Sequence, residues 1–379
     1  MAVQLSIASW LLLSGGALLT LTWVIYPLVM IGLARWNGGA SPNTAHDDEY
    51  HPSVSIIIAT REAELEVSTK VKDLTRVRYP PSQLEIVVAD DRGGSQSYRL
   101  PTRAGGVRVM VVRAGRDGGK AEALNAAVRV ATGEILAFAD THQRWETDAL
   151  EQLIGPLRHE EIAAVSGHLE LPSSTGPLLG FYWAWERKLR LAEATIHSSV
   201  GVSGSIWAMR RTAWEDLPAG LLLDDLYTPL RLVLDGHRVV MTPEAKAFES
   251  RVGDPVREYR RKVRTLTGNF QLLALLPGVL VPFRNPIWVQ FIGHKLLRLL
   301  TPYATVVFLI GSLLTLGSAA PRTMLYGAGV MGILTVWVLV SRDGVARHIR
   351  SGLRWALVMH AAVVQASING LRGRWDVWR

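Results

Sequence analysis

The sequence contains no cysteine in its 379 residues. This absence excludes disulfide bridges, metal sites built from thiolates and catalytic cysteine nucleophiles. It does not identify a cellular compartment. The sequence also lacks the phosphate-binding pattern Gly-x-x-x-x-Gly-Lys-Ser/Thr, because Ala121 follows the lysine of the only Gly-Gly-Lys, and this excludes a P-loop nucleotide site.

The first 34 residues lack any charged side chain. The apolar run over residues 7–34 is long enough to span a bilayer, for which about 20 residues suffice. A cleaved signal peptide would have a basic start and a shorter apolar core. Residues 1–36 therefore predict an uncleaved transmembrane anchor. Arg35 follows the apolar run, and the positive-inside rule then predicts that the chain beyond it is cytoplasmic.

The composition is 49% hydrophobic with a formal net charge of +8. Such a hydrophobic fraction is high for a soluble enzyme and low for a chain that lies mostly in a membrane. A basic balance is typical of proteins that bind nucleic acid or an anionic membrane surface. Much of the basic charge lies beside apolar segments, so we expect membrane lipids as partners and no nucleic acid.

Short apolar runs alternate with helical stretches after a polar linker at residues 37–52. Predicted strands cover residues 54–59, 84–90, 107–112 and 134–140, and predicted helices cover 62–75, 120–131 and 146–158. This alternation predicts an α/β, Rossmann-like domain with a mostly parallel sheet over residues 53–284. Ligands of such sheets bind at the carboxyl ends of the strands, where Asp90, Asp91 and Asp140 fall.

The last hundred residues predict further membrane segments. Residues 285–298 form an amphipathic pattern with His294, Lys295 and Arg298 on one face, suited to the membrane interface. In the region 299–379, two uncharged runs, 299–321 and 323–341, are each long enough to span. A third, shorter segment at 355–371 has basic residues on both sides, which favours a segment that lies flat or re-enters over one that crosses.

Two motifs contain residues suited to binding a nucleotide. Asp90 and Asp91 close the second strand before a glycine-rich turn and could bind a base or ribose, although an ordinary strand-to-loop transition explains them equally well. Lys120 begins a predicted helix and could pair with phosphate, or it could be a solvated lysine on a helix surface.

Two further motifs contain residues suited to metal binding or proton transfer. Asp140 and His142 together suit Mn²⁺ or Mg²⁺, whereas a lone histidine is usually structural. Asp224 and Asp225 follow an apolar run, and one of them could act as a general base in a cleft. The alternative is that they stabilise the beginning of the following helix.

Taken in order, these motifs resemble the family 2 glycosyltransferases of the GT-A fold. The resemblance covers about residues 50–300 and is greatest to the membrane-bound branch that includes cellulose, chitin, hyaluronan and poly-N-acetylglucosamine synthases. It implies an inverting enzyme of polysaccharide biosynthesis that moves a sugar from a nucleotide-diphosphate sugar, with UDP expected, to a glycan or lipid acceptor. It also implies that transmembrane and interfacial helices flank a cytoplasmic catalytic domain at a bacterial inner membrane.

The resemblance assigns roles to the residues that match the family's motifs. It implies that Asp225 is the general base, that Gly204, Ser205 and Asp224 contact the acceptor, and that Asp140 and His142 hold a divalent Mn²⁺ or Mg²⁺. The residues implied to bind the donor nucleotide are Asp90, Asp91, Lys120, Asp140, Arg261 and Arg264.

The chain departs from the family pattern at two positions. His142 replaces the second acid of the D-x-D metal motif, and Thr265 replaces the tryptophan of the Q/R-x-x-R-W motif. Both favour an alternative, a catalytically degenerate membrane scaffold in polysaccharide assembly. The retention of Asp225, Lys120 and both arginines favours an enzyme. Three or four membrane segments are few for a self-contained polysaccharide channel, which favours a short product, a lipid acceptor or export through partner proteins.

Overall fold

The computed structural model describes residues 6–38, 50–93, 97–115, 119–170, 177–249, 255–317 and 344–376. The predicted span at 323–341 lies outside the described residues, as does most of the predicted linker at 37–52. Twelve helices occur in the described parts of the chain: α1 Ile7–Thr20, α2 Tyr26–Trp36, α3 Glu64–Leu74, α4 Lys120–Val130, α5 Ala149–Ile154, α6 Pro177–Ile196, α7 Asp224–Leu234, α8 Pro255–Leu275, α9 Trp288–Phe291, α10 Leu297–Leu299, α11 Thr301–Gly317 and α12 Gly344–Leu371.

The described strands form one nine-stranded sheet. They are β1 Val54–Thr60, β2 Leu84–Asp90, β3 Arg103–Ala104, β4 Val107–Arg113, β5 Ile135–Ala139, β6 Arg144–Trp145, β7 Ile162–Glu170, β8 Ile206–Arg210 and β9 Arg238–Phe248. Their order is β3-β4-β2-β1-β5-β8-β7-β9-β6. The four strands and three helices predicted from the sequence are confirmed within one to four residues at their ends, with α5 continued by a 3₁₀ turn at Gly155–Arg158.

The prediction of a mostly parallel sheet is correct for only part of the sheet. Strands β4, β2, β1 and β5 pair in parallel, but β8 runs antiparallel to both of its neighbours. The sheet is therefore mixed. The sequence pattern did not identify β7, β8 and β9, and these strands contain the reversal of direction.

Both faces of the sheet are covered, as a buried parallel sheet requires. In β1, Ile56 and Ile58 are fully buried on the face covered by α3 and α5. Ile57, between them, is buried on the opposite face, which α4 and α7 cover. Because side chains alternate along a strand, the continuous apolar run of β1 fills two cores at once.

The helix at Ile7–Trp36 is the one described helix whose 30 residues are long and apolar enough to cross a membrane. A second candidate is the pair Trp288–Leu299 and Thr301–Gly317, bent by 58°, if it forms one broken span. Helix α1 packs closely on α11, since a Cβ added at Gly15 would lie 2.6 Å from the backbone nitrogen of Phe308. Such close backbone approach at glycine is typical of helices that associate in membranes.

The predicted amphipathic segment at 285–298 is helical in pieces. A π-helical turn, Ile292–Leu296, separates α9 from α10. Its histidine, His294, is 3% exposed and contacts Glu186 and Glu193 of α6. The polar face that the sequence assigned to the membrane interface therefore packs against the protein at this residue, because acidic partners on α6 are available to it.

Helix α12 begins well before the predicted segment at 355–371 and includes the basic residues at 347, 350 and 354. Its carboxyl end packs on α8, where Asn369 Nδ2 donates to Thr267 Oγ1 at 3.2 Å. A Cβ added at Gly370 would lie 2.6 Å from the Phe270 ring. This contact attaches the end of α12 to the helix that contains Arg261 and Arg264.

Candidate active site

The carboxylates at the strand ends lie at one edge of the parallel part of the sheet. Asp90 is the last residue of β2 and is buried. Its carboxylate accepts hydrogen bonds from Arg92 Nε at 2.9 Å and Arg92 Nη2 at 2.8 Å. Burial raises the pKa of Asp90, but the bonds from Arg92 outweigh it and hold the pKa below its ordinary value. Asp90 therefore stays ionised.

Asp91 connects two loops that lead to the same edge. It accepts a hydrogen bond from Arg61 Nε at 2.6 Å and another from the backbone N–H of Gly119 at 2.7 Å. Gly119 has φ of 119°, a conformation that favours glycine. Asp91 thereby holds the residue that precedes Lys120 at the beginning of α4.

Lys120 connects the sheet edge to the beginning of α7. Its Nζ lies 3.3 Å from Asp224 Oδ1 and 3.7 Å from Asp140 Oδ1. Burial lowers the pKa of Lys120, but the carboxylates of Asp224, Asp140 and Asp225 outweigh it and hold the pKa above its ordinary value. The ammonium group therefore stays charged, as a phosphate ligand requires.

Asp225 occupies the first turn of α7, and Leu223 rather than either acid is the N-cap residue. A Cβ added at Gly204 would lie 3.2 Å from Asp225 Oδ2, so this glycine leaves room for the carboxylate. Burial and the neighbouring Asp224 raise the pKa of Asp225 to about 6, against the opposing charges of Lys120, Lys295 and Arg264. A general base works best with a pKa near the working pH.

Ser205 lies beside Gly204 but is held by a structural contact. Its carbonyl accepts a hydrogen bond from Trp145 Nε1 at 3.0 Å, and the residue is 7% exposed. Gly204 is therefore adjacent to the candidate base, whereas contact of Ser205 with an acceptor stays a prediction.

The two arginines of α8 have different surroundings. Arg264 is partly buried, and burial lowers its pKa while the charges of Asp225, Asp224 and Asp140 raise it. Arg261 has an exposed side chain whose Nε and Nη2 each lie 3.0 Å from a Glu258 oxygen. The structure therefore brings Arg264 to the acidic cluster and places Arg261 against Glu258.

The two predicted metal ligands also have different contacts. Asp140 has a side chain that is 40% exposed, while His142 Nε2 lies 2.8 Å from Glu62 Oε1. Within the described ranges, no group of three or more histidine, aspartate and glutamate residues could hold a metal ion by itself. The hard oxygen of Asp140 suits Mn²⁺ or Mg²⁺ when ligand oxygens complete the coordination, whereas the Nε2 atom of His142 already has a protein partner.

A cavity of about 130 Å³ contains Asp225 in its wall. Helix α6, which the sequence pattern did not identify, supplies Glu186, Arg190 and Glu193 to it. Thr265 also lines the cavity, at the position where the family pattern has tryptophan. His294 and Lys295 of this lining had a sequence signal as the polar face of an amphipathic segment.

A buried polar cluster lies between this cavity and the apolar helix. The hydroxyl of Tyr26 donates to Glu193, and His294 contacts Glu193 through Nδ1 at 2.9 Å and Glu186 through Nε2 at 2.7 Å. Arg298 Nη1 donates to Glu186 at 2.8 Å. Burial raises the pKa of Glu186, but His294 and Arg298 outweigh it and hold the pKa well below its ordinary value. His294 therefore connects the two glutamates.

Part of the chain is similar in sequence to known glycosyltransferases. Residues 55–217 match the sequence model of Glycosyl transferase family 2. The chain is 28% identical over 118 residues to a beta-monoglucosyldiacylglycerol synthase from a Nostoc species, which is 30% of this chain and 25% of that protein. It is 23% identical over 323 residues to an N-acetylglucosaminyltransferase from a Rhizobium species, which is 79% of this chain and 70% of that protein. The chain thus spans about a quarter of the synthase but most of the second relative.

A solved structure extends the similarity in fold to nearly the whole chain. The mannosyltransferase PcManGT from Pyrobaculum calidifontis, in complex with GDP-Man and Mn²⁺, has a TM-score of 0.71 and 20% sequence identity. The superposition covers 95% of this chain and 99% of that one. At this identity the likeness shows the fold alone. The chain therefore has a mixed-sheet GT-A fold like that of this glycosyltransferase, and its residues 55–217 are similar to Glycosyl transferase family 2.

Proposed function

We propose that the protein transfers a sugar from a nucleoside-diphosphate sugar to a hydroxyl of a glycan or lipid acceptor, with inversion at the anomeric carbon. The observation that carries the proposal is the position of Asp225. Its carboxylate, with a pKa raised to about 6, lies in the cavity wall. Lys120 contacts both Asp224, the residue before the candidate base, and Asp140, the acid that follows β5. A base suited to proton removal therefore lies between a cationic group and a cavity.

The donor would bind along the strand ends, with a UDP-sugar as the expected donor. Asp90 and Asp91 stand where the nucleotide base and ribose would lie in an open α/β sheet. Lys120 and Arg264 would contact the diphosphate, because both are cations in the acidic cluster. A phosphate group would replace part of the carboxylate charge that now surrounds them.

The reaction would begin when Asp225 takes the proton of the acceptor hydroxyl. The acceptor oxygen then forms a bond to the anomeric carbon while the bond from that carbon to the diphosphate oxygen breaks. The products are the glycosylated acceptor and a nucleoside diphosphate. Lys120 and Arg264 would stabilise the negative charge that develops on the leaving group.

Of the two predicted metal ligands, Asp140 alone would hold a divalent metal ion at this site. The exposed carboxylate of Asp140 and the donor diphosphate would hold it, and the ion would supply further positive charge at the leaving group. His142 would contribute indirectly, since its contact with Glu62 orders the loop that follows Asp140.

The acceptor would be a lipid or a membrane-tethered glycan. Tyr26 of the apolar helix contacts Glu193, which lines the cavity, so the candidate acceptor side is next to the segment expected to be in the membrane. The diacylglycerol in the name of the Nostoc relative is consistent with a lipid. We propose the bacterial cytoplasmic membrane as the location, with the catalytic domain on the cytoplasmic side and export or assembly proteins as possible partners.

The test is nucleotide release by the purified full chain with a panel of UDP- and GDP-sugars and a membrane lipid extract. We expect one donor to be consumed, with a labelled sugar recovered in the lipid or glycan fraction. The Asp225→Asn protein should bind that donor without transferring the sugar. If native and Asp225→Asn proteins both fail to consume any donor, the degenerate-scaffold alternative is favoured and the proposal is wrong.

A further inference from the structure

The cavity at Asp225 contains two cationic side chains with few partners. Lys295 lies in the π-helical turn and Arg190 on α6, and both line the cavity. Arg190 Nη2 donates one hydrogen bond, to the carbonyl of Gly201 at 3.2 Å. Within the described ranges, the ammonium group of Lys295 makes no ion pair or hydrogen bond. Lys295 is partly buried, and removing an ammonium group from water without a bonded anion is costly.

The two glutamates in the cavity wall are bonded to other side chains. Glu186 contacts His294 and Arg298, and Glu193 contacts His294 and Tyr26. Within the described ranges, neither glutamate forms an ion pair with Lys295 or Arg190.

Asp225 is the remaining acid in the cavity wall, and it cannot balance both cations. Lys295 acts on it electrostatically, since its charge lowers the pKa of Asp225 against the larger effect of burial. Once Asp225 takes a proton, even this negative charge is lost. At the step in which the acceptor oxygen attacks, Lys295 and Arg190 thus have no bonded carboxylate among the described residues of the cavity wall.

We propose that the acceptor carries an anionic group of the phosphate class beside the hydroxyl that Asp225 deprotonates, and that Lys295 and Arg190 bind that group. The proposal rests on the proposed function, because it takes this cavity as the acceptor site. Three bonds from the lysine ammonium and the planar fork of the arginine are suited to the several oxygens of a phosphate. A neutral acceptor would leave both cations without an anion.

The first test compares two lipids with the same short acyl tails, phosphatidylglycerol and diacylglycerol. Both have a free hydroxyl, and only the first has a phosphate. Binding to the full chain in uncharged detergent is measured by tryptophan fluorescence without any donor. We expect phosphatidylglycerol to bind at least about tenfold more tightly, as a charge-assisted hydrogen bond provides. Equal affinity for the two lipids would overturn the proposal.

Variants test whether this cavity causes the preference for phosphatidylglycerol over diacylglycerol. Lys295→Met should abolish this preference, and Lys295→Arg should retain it. Lys188→Met is the matched control, because Lys188 is an exposed lysine of α6 outside the cavity lining, and it should behave like the native protein. A native preference in Lys295→Met would overturn the proposal. Displacement of phosphatidylglycerol by an equal concentration of inorganic phosphate would assign the site to free phosphate and also overturn it.

A transfer assay separates this proposal from the proposed function. With the donor that the native protein consumes, Lys295→Met should raise KM for phosphatidylglycerol about tenfold and leave KM for the donor unchanged. Unchanged KM for the lipid would count against the role of Lys295. If the native protein consumes no donor, the proposed function fails, while the binding assay still decides whether the cavity selects an anion.

Discussion

The donor edge and the acceptor cavity of the candidate site differ in how their charges are compensated. At the donor edge each predicted acid at the end of a strand has a cationic or N–H partner: Asp90 has Arg92, Asp91 has Arg61 and Gly119, and Asp140 has Lys120. In the cavity, Asp225 has a raised pKa and Lys295 has no bonded anion among the described residues.

This difference matches the two tasks of a transferase. Binding a nucleotide requires groups whose charge stays constant, and ion pairs at the donor edge provide that. Removing a proton from an acceptor requires a carboxylate that can be protonated near neutral pH, and burial beside a second acid provides that. Under the proposed function, the same residue type, aspartate, would therefore serve opposite purposes at Asp90 and at Asp225, because its surroundings differ.

The strongest test of the comparison is Asp225→Asn. Asparagine keeps the shape and cannot accept the proton, so we expect turnover to fall by about 10²–10⁴ while donor binding stays within a factor of about three. The measurement is steady-state transfer together with calorimetric donor affinity. Asp235→Asn, at the other end of α7 and half-exposed, is the control and should be near native. Near-native turnover in Asp225→Asn would reject Asp225 as the base.

The two arginines of α8 test the donor side. Arg264→Ala should weaken nucleoside diphosphate binding by roughly 10–100-fold, since a partly buried charge-assisted bond is lost. Arg261→Ala should change the affinity for the nucleoside diphosphate less than about threefold. The reason is that Arg261 is an exposed partner of Glu258, and exposed ion pairs contribute little. Calorimetry with the nucleoside diphosphate measures both. Equal effects of the two variants would show that Arg261 swings to the diphosphate, as the family resemblance implies.

The pH profile of the reaction tests whether the base is Asp225, the acid of the cavity wall whose pKa is raised. Since Asp225 must be ionised and its pKa in the ligand-free protein is raised to about 6, kcat/KM should fall about tenfold per pH unit below 6. The residual rate of Asp225→Asn should lack this fall. A profile that stays flat down to pH 4.5 would mean that the base is an acid with an ordinary pKa.

The raised pKa of Asp225 also makes the free energy of unfolding depend on pH. The folded protein holds the Asp225 proton more tightly than the unfolded chain, whose aspartate has a pKa of 3.8. The stabilisation from protonation is complete below that value and is lost as the pH rises through about 6. Asp225→Asn should therefore melt above the native protein at pH 7 and close to it at pH 4.

The smallest expected effect is that of Tyr26→Phe, which tests whether the apolar helix supports the cavity. The variant removes the hydroxyl that donates to buried Glu193, which should lower the free energy of unfolding by about 1–3 kcal/mol. Thermal unfolding in detergent measures it. Tyr303→Phe, at an exposed tyrosine of α11, is the control. Identical melting of the two variants would show that the contact does not contribute to stability.

Local patterns predicted the donor edge well. Four strands, the acids at their ends and the helix that begins at Lys120 depend on runs of five to eleven neighbouring residues, and those runs are visible in the sequence. The same reasoning missed β7, β8, β9 and α6, whose apolar residues do not alternate with helices in a simple order. It therefore predicted a mostly parallel sheet, and it gave no sign that Glu186 and Glu193 would line a cavity.

The sequence by itself determined the apolar helix at Ile7–Trp36, the strands β1, β2, β4 and β5, and the residue types available for binding and proton transfer. Tertiary structure decided which of these residues meet. Lys120 contacts Asp224 only because α4 and α7 cover the same face of the sheet, and His294 meets Glu193 across 101 positions of the chain. The raised pKa of Asp225 is likewise a consequence of burial beside Asp224. Periodicity describes neighbours within a helix or strand, whereas burial and long-range ion pairs depend on how the helices and strands pack.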